Sequence, residues 1–505
     1  MTLGLAAGGQ DDPGALSGAA GAWPSTGTAL DPRSGLWLVV DLDGTLLRSD
    51  MLHETFWSVA AHDLRGLLAA LAALGQGRAA LKRALARRCN LDVASLPYDP
   101  EVIARARDWR AAGGRVALVT ATDQTLAEAI AAHLGLFDEV HGSDGALNLK
   151  GAGKARVLTG RYGARGFVYM GDSAADLAVW PEAAGAITVN APAAVRRGVD
   201  RLGLDRLHLR TQARGPRPYL RAMRPHQWLK NLLVFVPMVT AHALGPGDLA
   251  TGLLAFLAFS LVASGVYATN DLLDLEADRA HPRKRARPFA AGAVPIAHAT
   301  AMAFGLLGGG LLTALAAGRG FVLVILVYLV TTMAYSLDLK RRAVIDICVL
   351  ACLYTLRIVA GAVAVGIGLS FWLLAFSMFL FFSLASVKRQ AELLDSARRG
   401  LLGAKGRGYR TDDLPVIATA SLTSGYVSVL VMALYVSSPE VVRLYSTPTA
   451  LWGICAVLLY WITRVALITH RGQMHDDPVV FAARDRISQV CLLLTLGFAL
   501  AGAVL

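Results

Sequence analysis

Two segments of the chain carry most of its chemistry: Asp41-Leu42-Asp43-Gly44-Thr45, and the acidic run Asn270-Asp271-Leu272-Leu273-Asp274-Leu275-Glu276-Ala277-Asp278. In the first, Asp41 can attack a phosphoryl group and form an acyl-phosphate that water later hydrolyses. Asp43, two residues on and pointing the same way, can protonate the leaving oxygen. Gly171-Asp172-Ser173-Ala174-Ala175-Asp176 adds two more carboxylates. Acids converging in one pocket repel unless a divalent cation joins them, and oxygen ligands suit Mg²⁺. Thr120 and a lysine, Lys150 or Lys154, would hold the transferring phosphoryl oxygens. In the second segment Asn270, Asp274 and Asp278 recur at i, i+4 and i+8, so they stack on one helix face with Asp271 beside them. Such acids at a membrane boundary are costly, and one or two Mg²⁺ ions bridging to a diphosphate would compensate them. His281, Lys284, Arg285 and Arg287 follow at once and can take the remaining phosphate oxygens.

The elements that must position the first set are legible. Residues 36–40 (LWLVV) form a continuous apolar run, as expected of a strand buried on both faces. Arg115–Val119, ending at Thr120, and Gly166–Met170, ending at Gly171, follow the same pattern. Polar residues therefore stand just past the carboxyl ends of three strands, where open α/β sheets place ligands. From about 48 to 108 the pattern is helical. The stretch Gly151–Lys154 (GAGK) lacks the full spacing of a P-loop.

With 505 residues, an apolar share of 55% and a net charge of +12, the chain is larger and more apolar than one soluble domain. The apolar excess lies beyond about residue 228. There the basic residues sit in short loops between apolar runs, which fits membrane topology and an anionic lipid or phosphate partner. No basic stripe interleaved with aromatics supports nucleic-acid binding. Of the five cysteines, Cys348, Cys352, Cys455 and Cys491 fall in apolar runs and behave as small hydrophobes; with Cys89 they suggest neither a disulfide framework nor a metal site. Residues 1–34, rich in Gly, Ala, Ser and Pro and without a basic start, are expected to be a disordered tail, not a secretory signal.

DLDGT, the strand-ending Thr120, a downstream lysine and GDSAAD resemble, in order, the four motifs of haloacid dehalogenase-type phosphatases. The resemblance covers about 35–210 and implies a Rossmann-like α/β domain with a helical cap at about 48–108 that limits substrate size. It implies Asp41 as nucleophile, Asp43 as acid/base, Asp172 as Mg²⁺ ligand beside Asp41 and Asp43, and Asp176 as its support. Lys154 rather than Lys150 is the expected phosphate lysine. A degenerate domain kept as scaffold or regulator is the rival reading.

After a linker at 211–218 come nine apolar runs near membrane length, centred on about 231–246, 249–269, 296–317, 319–336, 345–365, 369–387, 414–437, 449–469 and 487–505. On one side the loops carry Arg279, Arg283, Lys284, Arg285 and Arg287; Lys340, Arg341 and Arg342; Lys388, Arg389, Arg398, Arg399, Lys405, Arg407 and Arg410; and Arg471, Arg484 and Arg486. The opposite loops offer Arg319 and Arg443. The basic side is expected in the cytoplasm of a bacterial-type inner membrane, together with the N-terminal domain.

An acid motif NDxxDxxxD at the end of the second run, with nine helices in all, resembles the UbiA prenyltransferase superfamily over about 217–505. That family implies an all-α membrane bundle binding a Mg²⁺-diphosphate, open to the bilayer for a polyprenyl chain. Its usual second Asp-rich motif is replaced here by Ser383-Leu-Ala-Ser-Val-Lys388-Arg389-Gln390-Ala391-Glu392. The chain is instead similar to the decaprenyl-phosphate phosphoribosyltransferase branch. The similarity rests on Arg224-Pro-His-Gln-Trp228-Leu-Lys230-Asn231, NDLLDLEADRAHPRKRARPFAAG, Tyr335-Ser-Leu-Asp-Leu-Lys340, Asp346 with Arg357, Lys388-Arg-Gln-Ala-Glu392, and His475-Asp-Asp-Pro478. This branch implies phosphoribosyl pyrophosphate as donor and polyprenyl phosphate as nucleophile. Mg²⁺ would sit on Asn270, Asp271, Asp274 and Asp278, with Lys230, Lys284, Arg285 and Arg287 on donor phosphates. Lys340, Lys388 and Arg389 would orient the lipid phosphate, with Asn231, Tyr335, Arg357 and Glu392 lining the site.

The expected product carries a ribose 5-phosphate, and the N-terminal domain is a candidate to remove it. Two alternatives stand beside this. One is UbiA-type transfer of a prenyl group from its diphosphate to a small or aromatic acceptor, with an independent phosphatase. The other makes the membrane half an anchor for a cytoplasmic phosphatase. The oligomeric state is left open.

Overall fold

A computed structural model of the chain describes residues 23, 28–144, 149–212, 215–403, 407–474 and 477–504. Most of the expected N-terminal tail, two residues of the linker, Lys405, His475 and Asp476 lie outside the described residues. The chain divides into two compact units. The first holds residues 1–218 together with Asp271–Ala299, and the second holds Tyr219–Asn270 and Thr300–Leu505. The acidic run from Asp271 onward and its basic sequel thus belong to the first unit.

The first unit is built on a six-stranded, all-parallel sheet of order β3-β2-β1-β4-β5-β6. The strands are β1 (Trp37–Val40), β2 (Arg115–Asp123), β3 (Glu139–Ser143), β4 (Phe167–Gly171), β5 (Gly185–Val189) and β6 (Asp205–Leu209). Alternating side chains feed two cores. Leu38, Val40, Val116, Leu118, Val168 and Met170 pack with Trp109, Ala127 and Ile130 of the helices on one face. Val39, Ala117, Val119, Phe167 and Tyr169 pack with Ala155, Leu158, Val195 and Trp180 on the other. Burial on both faces is why these strands show as unbroken apolar runs. The chain order reverses between β1 and β4, the switch point at which such sheets bind ligands. Between β1 and β2 the expected cap is present as helices Met51–His62, Leu64–Ala72 and Arg78–Ala86, followed by Pro100–Ala111. The expected tail is ordered at its end: Leu30 is buried in the sheet's core, and Trp23 packs on Trp109 with centroids 5.4 Å apart.

Eight helices among the described residues are long and apolar enough to cross a membrane: Pro246–Leu273, Ile296–Ala317, Arg319–Leu337, Ile345–Val365, Phe371–Arg398, Thr411–Val436, Pro448–His470 and Arg486–Val504. They correspond to the second through ninth runs. The first run folds differently, as a 3-10 helix Pro225–Phe235 and a five-residue α-helix Val236–Thr240. Pro237, which has no N–H to donate, interrupts any longer α-helix there, and His242 at φ +54° ends it. Gly361 makes room for the broken segment, because a Cβ at that position would run into the carbonyl of Val234.

Candidate functional sites

At the switch point, carboxylate oxygens of Asp41, Asp172 and Asp176 all lie within 4.8 Å of one another. Asp41 follows β1 and Asp172 follows β4, so parallel pairing of these two strands brings them together. Gly44 fits this crowding. Its φ is +74°, and a Cβ there would strike the Asp172 carboxylate. Lys154, buried at the start of helix Ala152–Tyr162, donates to Asp41 Oδ1 at 2.8 Å and to the Tyr169 hydroxyl at 3.0 Å. Lys150, the other candidate, is exposed. Asp176 braces the loop: its Oδ2 accepts from Ser173 Oγ at 2.8 Å and from the Ser173 and Asp172 amides, and its Oδ1 accepts from Tyr169 at 2.7 Å.

Asp43 stands apart from the three-acid cluster. Its Oδ1 accepts from the Met51 amide at 2.8 Å and its Oδ2 from Thr122 Oγ1 at 3.1 Å. That leaves it oriented by protein donors, as suits an acid/base. Thr120 is fully buried, and its Oγ1 accepts from the Thr122 amide. Burial, then Asp50, pushes Asp43 up to about 7, and burial, then Asp41 and Asp176, pushes Asp172 up to about 8. Burial also raises Asp41 against the pull of Lys154. Carboxyls this crowded ionise together only when a cation joins them, and an all-oxygen donor set is that of a hard divalent ion.

The acidic run departs from one helix face. The helix Pro246–Leu273 ends before Asp274, and a separate helix runs Leu275–Ala280. Arg287 Nη1 lies 3.0 Å from Asp271 and 2.6 Å from Asp278. Seven residues of straight helix would separate those acids by about 10.5 Å, too far for one nitrogen, so the break at Asp274 is what draws them together. Asp271 and Asp278 are buried, and Asp278 Oδ1 has no hydrogen-bond partner. Burial lifts Asp278 against Arg287. Lys284 stands 3.8 Å from Asp278, and Arg285 is exposed. A metal-bound diphosphate would therefore compete with Arg287 for the acids.

In the second unit, Lys230 and Lys388 converge on Asp477 Oδ2 at 2.7 and 3.3 Å, and the Tyr354 hydroxyl donates to its Oδ1 at 3.3 Å. Asp477 caps the helix Pro478–Arg484. Burial draws Lys230 down to about 8 despite Asp477. Against the upward pull of burial, Lys388 and Lys230 hold Asp477 well below the usual carboxylate range. Deeper in, Arg357 donates to Asn231 Oδ1 at 3.0 Å and to the Tyr328 hydroxyl at 3.2 Å. These two expected lining residues brace each other. A further buried cluster joins Arg389 and Asp346 at 2.7 Å, with Tyr335 and Arg407 on Asp346 at 2.7 and 3.1 Å and Glu392 on Arg389. Lys340 contributes its carbonyl to Arg407. Arg389 is thus neutralised by acids, whereas Lys230 and Lys388 share one.

The structure adds residues that the motifs did not single out. Arg279 forms a bidentate pair with Glu54 at 2.6 and 3.0 Å, their side chains only 5% and 2% exposed. Lys82 of the cap donates to the Ala121 carbonyl at 2.7 Å, and the Asp43 and Asp50 charges act on it. Arg407, and Asp477, which the motif at 475–478 contains without a role, complete the list. No spacing signal marks these positions, because their partners are distant in sequence.

A Rossmann-like parallel α/β domain with a carboxylate pocket, followed by an α-helical membrane bundle, is the architecture of a membrane transferase carrying a phosphatase-type domain. The model of the UbiA prenyltransferase family matches residues 231–485, and that of the haloacid dehalogenase-like hydrolases matches residues 38–180. The chain belongs to the UbiA prenyltransferase family, with a haloacid dehalogenase-like domain fused at its N-terminus. It is 40% identical over 456 residues to uncharacterized protein y4nM of Sinorhizobium fredii, covering 89% of this chain and 88% of that one. It is 38% identical over 275 residues to nodulation protein NoeC of Azorhizobium caulinodans, covering 54% of this chain and 90% of NoeC. It is 33% identical over 285 residues to decaprenyl-phosphate phosphoribosyltransferase of Mycolicibacterium smegmatis, covering 55% of this chain and 90% of that protein. It is a multi-pass membrane protein.

Proposed function

We propose that the membrane half transfers 5-phosphoribose from phosphoribosyl pyrophosphate to a polyprenyl phosphate. The observation that carries this reading is the convergence of Lys230, expected from the sequence on the donor phosphates, and Lys388 on one carboxylate, Asp477, which moves Lys230 to the lipid-phosphate site. Among the described residues these two ammonium groups share one acid and leave net positive charge, which suits an incoming lipid monophosphate better than a second metal-bound diphosphate. The relative from Mycolicibacterium smegmatis is named a decaprenyl-phosphate phosphoribosyltransferase. In the step, a phosphate oxygen of the lipid bonds to the ribose anomeric carbon, whose bond to the pyrophosphate oxygen breaks. Mg²⁺ held by Asp271 and Asp278, with Asn270 and Asp274, would neutralise the departing pyrophosphate. Lys284 and Arg285, and Arg287 once the metal displaces it from Asp271 and Asp278, would take its free oxygens.

The N-terminal domain then acts as a Mg²⁺-dependent phosphatase on the 5-phosphate of that product. Asp41 attacks phosphorus, Asp43 gives its proton to the ribose 5-oxygen, and water cleaves the acyl-phosphate to release inorganic phosphate. Lys154 offsets the charge of the transferring group.

We assign the basic loops and the N-terminal domain to the cytoplasmic side of the plasma membrane, on the bias of Arg and Lys toward one set of loops.

The test is to supply purified protein with labelled phosphoribosyl pyrophosphate and polyprenyl phosphate. Formation of a lipid-linked phosphoribose supports the transfer; consumption of prenyl diphosphate instead, with no ribosylated lipid, refutes it.

A further inference from the structure

The cap carries a feature that neither catalytic reading uses. Helix Leu64–Ala72 and the 3-10 turn Ala73–Gln76 that continues it turn Leu67 and Ala70 inward, where both are buried. The adjoining, outward side presents Leu64, Leu68, Leu71 and Leu74, at 58%, 69%, 40% and 48% exposure. Their spacing of four, three and three residues makes one continuous apolar stripe along the helix. Within the first unit, none of the described residues covers these leucines.

The charge around the stripe is one-sided. Between Leu64 and Leu91 the sequence contains Arg65, Arg78, Lys82, Arg83, Arg87 and Arg88 and no aspartate or glutamate. Arg65, Arg78, Arg83, Arg87 and Arg88 are exposed. A leucine stripe on one face with basic residues beside it is the composition of a helix that lies in the headgroup region of an anionic bilayer. Such a bilayer is always close by, because this chain is anchored in one by its own spans.

We propose that Leu64–Gln76 is a membrane-surface contact of the cap, its leucines seated among acyl-chain ends and the neighbouring arginines on anionic lipid phosphates. The contact is distinct from the carboxylate pocket and holds whatever phosphate ester that pocket cleaves. Its consequence is that the cap, the element framing access to Asp41, is biased toward a substrate that itself resides in the membrane.

Hydrogen exchange on the full-length protein in lipid nanodiscs tests this. Discs of phosphatidylcholine alone are compared with discs that also contain phosphatidylglycerol, and exchange is followed in the peptide covering 64–76. The expected result is slowing by at least about fivefold in the anionic discs, an effect that a docked helix imposes and a solvated one does not. Leu68→Glu with Leu71→Glu, both at exposed positions, should remove the slowing, and raised salt should weaken it. Equal exchange in both discs overturns the proposal, and this arm needs no variant. Protection that follows the number of protein copies per disc rather than lipid charge also overturns it, in favour of self-association.

Discussion

Lys154 Nζ rests 2.8 Å from Asp41 Oδ1, both side chains buried at the point where the strand order reverses. On the proposed phosphatase reading, a lysine so placed would offset the charge of the attacking carboxylate and then face the phosphoryl group that Asp41 accepts. Asp41→Asn should abolish release of inorganic phosphate from small phosphate esters. Lys154→Met should lower kcat by about 10²–10³, the usual effect of removing one charge-stabilising donor. Lys150→Met should leave the rate within about twofold, since a side chain that solvates freely contributes little. A phosphate-release assay on the purified protein distinguishes the three.

The pair Glu54–Arg279 ties the helix just after the first acid motif to the segment holding Asp278. Ser49 Oγ also donates to Glu54 at 2.5 Å. Glu54→Ala leaves a buried guanidinium without its carboxylate, a loss of about 3–5 kcal/mol. The first unit's unfolding transition should fall accordingly in thermal scans. Adding Arg279→Met to Glu54→Ala should restore much of it, because no unpaired charge then remains; a double variant no better than the single one would contradict this account of the pair.

Asp271→Asn and Asp278→Asn, which remove negative charge from the donor site, should cut transferase kcat by about 10² or more. Both should also raise the Mg²⁺ concentration for half-maximal rate. Phosphatase turnover of a small soluble ester by the same preparations should persist, because Asp41 and Asp172 are untouched. A metal titration of both activities on one sample makes the comparison.

The pH behaviour of Lys230 has a definite sign. Burial places it at about 8, so its charge is present below that value and lost above it. The KM for polyprenyl phosphate should therefore rise as pH passes upward through about 8, while Lys230→Arg, charged throughout, flattens the profile. An unchanged profile in the arginine variant would remove Lys230 from the lipid-phosphate site.

Much of the first unit is legible in the sequence because its signals are local. Residues 36–40 and 166–170 are apolar runs that end in acids, and parallel pairing then puts Asp41 beside Asp172. Lys154 could be favoured over Lys150 but not shown to touch Asp41, since that contact spans the whole cap and two strands. What the sequence withheld are choices made by partners far along the chain. The spacing of Asn270, Asp274 and Asp278 allows one helix face, yet Arg287 draws Asp271 and Asp278 together and the helix breaks at Asp274. Asp477 stands in a quoted motif, but its significance comes from Lys230, 247 residues away. The run 231–246 has the composition of a span; Pro237 and the backbone approach at Gly361 turn it into 3-10 helix. Leu30 belongs to a Gly- and Ala-rich tail by composition and to the sheet's core by packing.

The most direct test of the account is the mass of the lipid product. Purified wild-type protein and Asp41→Asn are each given phosphoribosyl pyrophosphate, polyprenyl phosphate and Mg²⁺, and the extracted lipids are weighed by mass spectrometry. The account predicts polyprenyl-phosphoryl ribose from the wild type and the same lipid bearing one further phosphate from Asp41→Asn. If both proteins accumulate the identical 5-phosphorylated lipid, or neither ribosylates the lipid, the coupled two-site reading is contradicted.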